Sequence, residues 1–339
     1  MLFGDVTIEA ISYQLPPHRI TSAAIESQIS GAMANLQIPK GTFESLTGIR
    51  ERRFWDPGVM PSDVATLAAR KVIEVAGIDP KEIGCLINTS VCRDFIEPSV
   101  ACLVHGNLKL FPHCLNYDIG NACLGFLNGM SSIIFMIEAG LIKYGLVVDG
   151  EGSREVVEMT IKRLQSPDVS RETFYESFAT LTLGSGAVAM LLCHKDISRT
   201  GHLINGSVCL AATEYNRLTF GQKDYMKTDS MALMKAGMSL ARDTWKLAST
   251  ELEGWSDETI DLYAPHQVSK SHMDALTKTL GITPEKVFLN FYTHGNIGPA
   301  AVPITLAMAE EAGRIQSSDH VALLGIGSGL NCSGMSITW

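Results

Sequence analysis

The chain has 339 residues, of which 46% are hydrophobic and 19% are charged, and its formal net charge is −9. This composition is typical of one large or two small globular domains with a sizeable core, and the absence of a Lys/Arg-rich run argues against nucleic-acid binding. No apolar run approaches the roughly 18 residues that a membrane helix needs. Asp5 and Glu9 argue against an N-terminal signal peptide. The eight cysteines are scattered and form no CxxC pair. We therefore expect reduced thiols and a cytoplasmic protein.

Strand and helix patterns alternate along the first part of the chain, as in α/β proteins. Hydrophobic periodicity, small-residue turns and helix-cap residues define the boundaries. The predicted elements are a strand at 6–13, a helix at 22–33, a polar and basic connector at 41–55, a helix at 64–76, a strand at 85–89 and a helix at 100–108.

The turn GNACLG places Cys123 directly before a helix-period apolar run, which the strand YGLVV follows. We therefore predict that Cys123 lies in the first turn of a buried helix. The unpaired N–H groups of a helix N-terminus lower the pKa of a thiol and favour its nucleophilic thiolate. The alternative is a free cysteine that only fills space in the core.

Residues 151–180 interrupt this alternation, because they are charged, helix-prone and broken by Pro167. They predict an inserted helical segment over the core, or a solvated helical face. After them the pattern resumes, with predicted strands at 183–192 and 208–212 and a long helix at 230–252. The domain boundaries predicted from this order are 1–195, with the insertion at 151–180, and 196–339.

The second half repeats the first. The pair Ala139-Gly140 aligns with Ala312-Gly313 at an offset of 173, and the same offset pairs Cys123 with Asn296. Two halves with the same strand–helix order predict a duplicated α/β core in which matching helix N-termini meet near a pseudo-two-fold axis.

His266 ends a predicted buried strand of the second half, so a thiol, an imidazole and an amide are expected to converge. These groups suit a nucleophile, a general acid or base and a hydrogen-bond donor. Taken alone, a histidine in a buried strand is more often a core residue. His294 is interpreted as a polar turn residue. We predict no metal site, because the chain contains no HExxH motif and no Cys/His cluster.

Four motifs now stand together in one order: Asn121-Ala-Cys123-Leu-Gly125, Pro265-His266-Gln267, His294-Gly-Asn296 and the tail GIGSGLN. Over essentially its whole length the chain resembles the ketoacyl synthase III type of the thiolase superfamily. The resemblance implies an α/β thiolase-like fold with two duplicated βαβαβ halves in αβαβα layers. It also implies an acyl thioester on Cys123, hydrogen bonds from His266 and Asn296 to the second substrate, and an oxyanion hole of backbone N–H groups from Cys123, Ser328 and Gly329.

Glu97, in the segment VCRDFIEPS, resembles the glutamate of the bacterial olefin-pathway enzymes of the OleA type. Those enzymes join two fatty acyl-CoAs head to head without decarboxylation. Removal of an α-proton then needs a base, and a carboxylate in an apolar tunnel suits that role. In that family the glutamate reaches the partner subunit's active site, so a homodimer is implied. The alternative for Glu97 is an acid that caps the following helix.

The implied substrates are fatty acyl-CoAs and the implied product is a 2-alkyl-3-oxo acid, with no separate cofactor. A basic segment near Trp55 could meet the CoA phosphates and adenine through Arg50, Arg52 and Arg53, or could simply be solvated. Three other functions remain open at this point: a malonyl-using 3-oxoacyl synthase III, a cysteine protease of the papain type, and an inactive structural subunit of a heterodimeric synthase. The papain signature around the cysteine is absent.

Overall fold

The computed structural model describes residues 1–339, and its elements alternate as the sequence predicts. The strands are β1 (Val6–Gln14), β2 (His18–Thr21), β3 (Glu51–Phe54), β4 (Ile83–Asn88), β5 (Leu115–Asp118), β6 (Tyr144–Glu151), β7 (Gly186–His194), β8 (His202–Ala211), β9 (Thr219–Gly221), β10 (Met226–Thr228), β11 (Leu262–Pro265), β12 (His320–Gly327) and β13 (Asn331–Thr338). The helices are α1 (Ser22–Gln28), α2 (Ser30–Asn35), α3 (Thr42–Thr47), α4 (Pro61–Ala76), α5 (Val100–Leu108), α6 (Gly125–Glu138), α7 (Arg154–Leu164), α8 (Arg171–Phe178), α9 (Ser230–Glu251), α10 (Lys270–Leu280), α11 (Phe291–His294) and α12 (Ala301–Glu311).

Nine strands form one sheet in the order β11-β12-β13-β8-β1-β7-β6-β4-β5. Its two halves have the same topology: β1 pairs antiparallel with β7, β7 antiparallel with β6, and β6 parallel with β4, while β8, β13, β12 and β11 repeat these relations in turn. Within the sheet the halves pair where Thr7 and Ile8 of β1 meet Leu203 and His202 of β8. The predicted duplication is therefore confirmed.

Helices cover both faces of each half-sheet and give five layers. The apolar faces of α6 and α12 share one core cluster with strands of both halves, so these helices form the central layer. Helices α4 and α5 pack on the outer face of the first half-sheet, and α9 and α10 pack on the outer face of the second. Helices α6 and α12 are apolar nearly all round because each is enclosed by sheet on both sides. The αβαβα prediction is confirmed.

The Ala-Gly pairs that aligned the halves are equivalent helix ends. Ala139 is the C-cap of α6 and Ala312 is the C-cap of α12. Gly140 and Gly313 follow them with φ values of 70° and 68°. This left-handed conformation favours glycine, which has no Cβ to clash. We propose residue 195 as the boundary between the halves; it begins a short turn between β7 and β8.

Two local predictions were wrong. The helix predicted at 22–33 is broken at Ile29, where the backbone leaves the helical region. The segment predicted as a connector at 41–55 contains α3 and β3, and β3 pairs with β2. The pairing partner lies more than 30 residues away in sequence, so local periodicity did not reveal it.

The predicted insertion at 151–180 contains α7 and α8, although its first residue, Glu151, still belongs to β6. These helices bury an apolar face that includes Val157, Ile161 and Phe174 against residues of α1 and α3. The insertion therefore lies over a small core of its own and is not merely a solvated face. No helix of the chain is both long and apolar enough to span a bilayer.

Candidate active site

Cys123 lies in the turn that links β5 to α6. It precedes the first helical residue, Gly125, by two positions, so the prediction that it lies in the first helical turn was slightly wrong. Ala122 adopts the left-handed region with φ 45°. The turn packs closely against the end of β4, because a Cβ on Gly125 would lie only 2.8 Å from the Thr89 carbonyl oxygen. This close approach requires glycine at position 125. The half-buried thiol is thus presented between the two sheets.

The hairpin turn between β12 and β13 packs directly on the Cys123 turn. A Cβ on Gly327 would lie 2.8 Å from the Asn121 carbonyl oxygen and 3.1 Å from the Leu124 nitrogen. The Asn331 side-chain amide donates to Asn121 Oδ1 at 3.0 Å. The structure therefore brings Ser328 and Gly329 beside the cysteine turn, as the oxyanion-hole prediction requires.

Three backbone donors at this junction have no partner within the chain. The N–H groups of Cys123, Ser328 and Gly329 donate to no backbone or side-chain acceptor. Backbone donors without an internal partner at a cleft are the usual components of an oxyanion hole.

His266 follows β11, and its backbone N–H donates to the Leu324 carbonyl of β12 at 2.7 Å. Asn296 lies between α11 and α12, where its N–H donates to Thr182 O at 2.9 Å and its carbonyl accepts from Gly184 N at 2.8 Å. Its Oδ1 accepts from Gly298 N at 3.0 Å, and its Nδ2 has no partner in the chain. The free amide donor suits a thioester oxygen.

Burial lowers the pKa of His266 to about 3, and the neighbouring His272 acts in the same direction, while the Gly298 carbonyl opposes it. Nδ1 of His266 is buried and has no partner. The imidazole is consequently neutral at neutral pH. It can donate a hydrogen bond to a carbonyl oxygen but carries no positive charge there. The Gly298 contact also places His266 beside the turn that contains Asn296.

The environment of Cys123 differs from the one expected. Burial raises the pKa of the Cys123 thiol to about 12, and the charges of Glu151 and Asp149 raise it further. Both acids lie on β6, whose residues 149 and 151 share one face because strand side chains alternate. The resting cysteine is therefore a thiol, and the prediction that its environment lowers the pKa was wrong.

Glu97 is an exposed residue of the segment 91–98, which follows β4, and forms no hydrogen bond or ion pair within the chain. It does not cap α5. Ser99 accepts the N–H of Cys102 at 3.1 Å, and Asp118 accepts the N–H groups of Val100 and Ala101 at 3.1 and 2.8 Å. The helix-cap alternative is therefore wrong. The apolar tunnel expected around Glu97 is not supplied by its own chain.

The four residues predicted to bind CoA have different environments. Arg50 is exposed. Arg52 is 1% exposed and donates to Ile20 O, Ser22 Oγ and Leu181 O, so it cannot reach a phosphate and this part of the prediction was wrong. Arg53 is partly buried and donates to Pro16 O at 3.0 Å. The Trp55 indole N–H donates to the Glu151 carbonyl at 2.9 Å, near the site.

His294 serves the turn, as interpreted from the sequence. Its Nδ1 lies 2.9 Å from Asn290 O and 3.0 Å from Thr293 Oγ1. Asp149 and Glu151 are the functional candidates that sequence reasoning missed. The sequence did contain a sign of them: two acids, two positions apart, at the end of the segment VVDGE. The rest of that strand is apolar, as in a strand buried on both faces, so acids there are unusual.

A small cavity of about 30 Å³ lies beside His266, between α9, α10 and β12–β13. Its walls are mostly apolar and include Trp245, Trp255, Leu276 and Ile326. This lining suits hydrocarbon groups better than polar ones, but a fatty acyl chain would fit only if the walls moved apart.

Comparison with known proteins agrees with this geometry. Residues 250–339 match the family model for the C terminus of 3-oxoacyl-[acyl-carrier-protein] synthase III. Over 339 residues, and 100% of both chains, the protein is 44% identical to an acyl-CoA:acyl-CoA alkyltransferase of Xanthomonas campestris pv. campestris. It is 38% identical over 351 residues, again with 100% of both chains covered, to an acyl-CoA:acyl-CoA alkyltransferase of Shewanella oneidensis. A β-ketoacyl-[acyl-carrier-protein] synthase III of Natranaerobius thermophilus is 30% identical over 306 residues, with 87% and 89% coverage.

Solved structures give the same result. Cerulenin-bound Xanthomonas OleA superposes with a TM-score of 0.98 at 44% identity, covering 100% of this chain and 98% of that one. A cysteine-to-serine variant of the same protein, solved with lauric acid and lauroyl-CoA, has a TM-score of 0.97 with 100% of both chains covered. The chain therefore belongs to the OleA-type acyl-CoA condensing enzymes of the thiolase superfamily.

Proposed function

We propose that this protein is an acyltransferase that condenses two fatty acyl-CoAs head to head, without decarboxylation, to a 2-alkyl-3-oxo acid. The observation that carries the proposal is the set of three free backbone N–H donors at the Cys123 turn. A neutral His266 and the free Asn296 amide, which we expect to face the same cleft, support it. A cytoplasmic location fits substrates that are CoA thioesters. The names of the two full-length relatives support the same reaction.

In the first half-reaction, Cys123 sulfur attacks the thioester carbonyl of one acyl-CoA. The N–H groups of Cys123, Ser328 and Gly329 stabilise the tetrahedral oxyanion, and the C–S bond to CoA breaks. The thiol proton ends on the departing CoA sulfur. Because the resting thiol is protonated, this proton transfer accompanies the attack. The protonated resting state also limits non-productive reactions of a free thiolate.

In the second half-reaction, Glu97 takes an α-proton from the second acyl-CoA. His266 and Asn296 donate hydrogen bonds to its thioester oxygen, which becomes enolate-like. The α-carbon attacks the acyl group on Cys123, and the C–S bond breaks to return the cysteine. Water then cleaves the remaining CoA ester, giving CoA and the β-keto acid.

The acyl chains need apolar space, and the CoA needs polar contacts. The apolar walls of the cavity beside His266 are a candidate start for one acyl chain, which would have to push them apart. Arg50 precedes β3, Arg53 lies in it and Trp55 follows it. These three residues remain the candidates for CoA contacts, and Arg52 does not.

Glu97 would act in a homodimer, in the active site of the partner subunit. Its segment exposes large apolar side chains together with neighbours on β5 and the preceding loop: Val91, Phe95, Ile96, Phe111 and Leu115. Ile96 is 97% exposed in the single chain. Exposed apolar groups of this size are usual at subunit interfaces. A second copy would bury them and surround Glu97 with apolar groups.

The second candidate is a 3-oxoacyl synthase III that uses a malonyl donor, favoured by the synthase III relative and by the shared Cys, His and Asn. Decarboxylation of a malonyl group would supply the carbanion, so that reaction needs no base at position 97. An exposed carboxylate that neither caps a helix nor forms an ion pair favours the non-decarboxylative reaction instead.

The test incubates the purified protein with myristoyl-CoA alone and measures CoA release and the long-chain ketone formed when the β-keto acid loses CO₂. Wild type is expected to form the ketone, and Glu97→Ala to release one CoA per Cys123 and then stop. Glu97→Asp, which keeps a carboxylate, is expected to retain part of the turnover. Absence of the ketone from myristoyl-CoA, with a 3-oxoacyl thioester formed once a malonyl donor is added, would establish the alternative. Failure of Cys123 to be acylated would indicate an inactive structural subunit.

A further inference from the structure

Glu151 is a buried carboxyl group outside the proposed chemistry. It is the last residue of β6 and is 5% exposed. Its Oε1 accepts the backbone N–H of Val91 at 2.6 Å, and burial and then the nearby Glu151 charge raise the pKa of the Cys92 thiol. Val91 and Cys92 are the first two residues of the segment 91–98, which we call the Glu97 loop.

The same side chain contacts the other half of the site. A Cβ on Gly298 would lie 3.5 Å from Glu151 Cδ, and Gly298 is the residue whose N–H binds Asn296. The charge of Glu151 also raises the pKa of Cys123. Glu151 therefore lies where the Glu97 loop, the Asn296 turn and the cysteine meet.

No Lys or Arg hydrogen-bonds or ion-pairs with the Glu151 carboxyl group. Burial of a carboxylate without a cation is costly, and an apolar residue at a strand end would serve the fold alone at least as well. Its hydrogen-bond partner is instead the backbone N–H of Val91, in the loop. The arrangement is consequently one in which the carboxylate stabilises the loop's position.

The titratable groups that face Glu151 are Asp149 on its own strand, Cys92 in the Glu97 loop and Cys123 in the cysteine turn. Asp149 Oδ2 accepts the Thr89 hydroxyl at 2.7 Å, but its Oδ1 is buried without a partner. Burial and then the Glu151 charge raise the pKa of Asp149 well above its usual range, whereas burial raises the pKa of Glu151 to about 7. Of the pair, Asp149 is the weaker acid, so Glu151 is the group that ionises first.

We propose that Glu151 is a positioning residue for the condensation: its carboxylate holds the base of the Glu97 loop against the cleft that contains Cys123 and Asn296. The proposal rests on the function proposed above for Glu97. It does not make Glu151 a proton acceptor in the reaction.

Loss of the carboxylate would have two opposite effects. Without its acceptor, the loop would loosen, and proton removal from the second acyl-CoA would slow down. Without the nearby negative charge, the Cys123 thiol would ionise more easily and react faster. General damage to the site would slow both reactions, so the two explanations are separable.

The experiment compares full-length Glu151→Gln with wild type and with Glu155→Gln. Glu155 is an exposed acid on α7, 3.6 Å from Lys223, and its substitution removes the same charge away from the site. Three quantities are measured: the rate at which iodoacetamide alkylates Cys123 at pH 9, followed on its own peptide by mass spectrometry; the CoA burst and ketone turnover with myristoyl-CoA; and hydrogen–deuterium exchange of residues 91–98.

For Glu151→Gln we expect alkylation of Cys123 to become about tenfold faster, as a one-unit fall in thiol pKa would produce. We expect ketone turnover to fall about 10- to 100-fold while the CoA burst remains, and exchange in the Glu97 loop to accelerate. Glu155→Gln should match wild type in every measurement. If Glu151→Gln is insoluble, Glu151→Asp keeps the charge and should alkylate like wild type with partial ketone turnover.

Unchanged ketone turnover, or an equal loss in alkylation, burst and turnover, would overturn the proposal. If wild type itself forms no ketone from myristoyl-CoA, the proposed function fails instead. The positioning role is then judged by exchange alone: unchanged protection of residues 91–98 in Glu151→Gln would overturn it.

Discussion

Gly327→Ala tests whether the close approach of β12 to the cysteine turn is needed for catalysis. The new methyl carbon would lie 2.8 Å from the Asn121 carbonyl oxygen, whereas ordinary contact begins near 3.4 Å. The two turns must therefore separate by 3.4 − 2.8 = 0.6 Å. The obstructing atoms are backbone, so no side-chain rotation relieves the contact.

This shift would move the N–H groups of Ser328 and Gly329 away from the oxyanion. Removal of one oxyanion-hole donor usually costs about 10²- to 10³-fold in kcat. Displacement of two donors by about half an ångström, at the 2.7–3.1 Å distances such donors require, should cost a similar factor of roughly 10². Overpacking should also destabilise the protein by about 1–3 kcal/mol.

The assay follows CoA release during acylation of Cys123 and the melting temperature of each variant. Gly325→Ala is the matched control on the same strand. Its methyl group would lie 2.6 Å and 2.7 Å from the Cδ1 atoms of Leu124 and Leu127, which are side-chain ends that can turn away. We expect Gly325→Ala to lose some stability and to keep acylation within about threefold. Wild-type acylation by Gly327→Ala would refute the reasoning, because the oxyanion donors would then not depend on this contact.

Two further predictions concern buried charge. Arg52→Leu should lower the free energy of unfolding by about 3–5 kcal/mol, because three acceptors inside the protein lose their donor, whereas Arg50→Leu should change it little. Thermal melts and acyl-CoA titrations of both variants check this. A selective loss of CoA affinity in Arg52→Leu would contradict the structural role. The pKa values of His266 and His272 fall to about 3 and about 4 on folding, so the unfolded chain binds more protons below pH 6.5. The contribution of these two histidines to the free energy of unfolding should therefore be constant above pH 6.5 and fall as the pH drops towards 4, by up to about 1.4 kcal/mol per unit for each histidine. The raised pKa values of Glu151 and Asp149 act in the opposite direction over part of this range. His272→Leu should make urea-denaturation stability less steep over this range, and an unchanged slope would contradict the assignment.

Local periodicity determined much of the fold. The helix predicted at 100–108 has those ends, and the predictions at 6–13 and 230–252 are within one residue of β1 and α9. These segments succeed because caps, apolar spacing and length are properties of neighbouring residues. The duplication was also readable, because each copy must end its central helix with the same Ala-Gly left-handed turn.

The environment of each site residue was not readable in the same way. The acids of β6 that raise the pKa of Cys123 lie almost 30 residues from it in the sequence. Arg52 likewise donates to the carbonyl oxygen of the distant Leu181. Basic residues in a loop look the same in the sequence whether they are solvated or fully buried. Their exposure depends on which distant backbone groups lack a partner, and long-range packing determines that.

The sequence by itself thus determined the layered α/β architecture and its internal repeat, and it predicted the convergence of Cys123, His266 and Asn296, since all three follow from residue order and periodicity. Only the tertiary structure decided that the cysteine is a neutral thiol, that Arg52 is structural, that Ser99 and Asp118 cap α5, and that Glu151 binds the base of the Glu97 loop. The physical reason is that pKa values and hydrogen-bond satisfaction depend on desolvation and on neighbours brought together from distant parts of the chain.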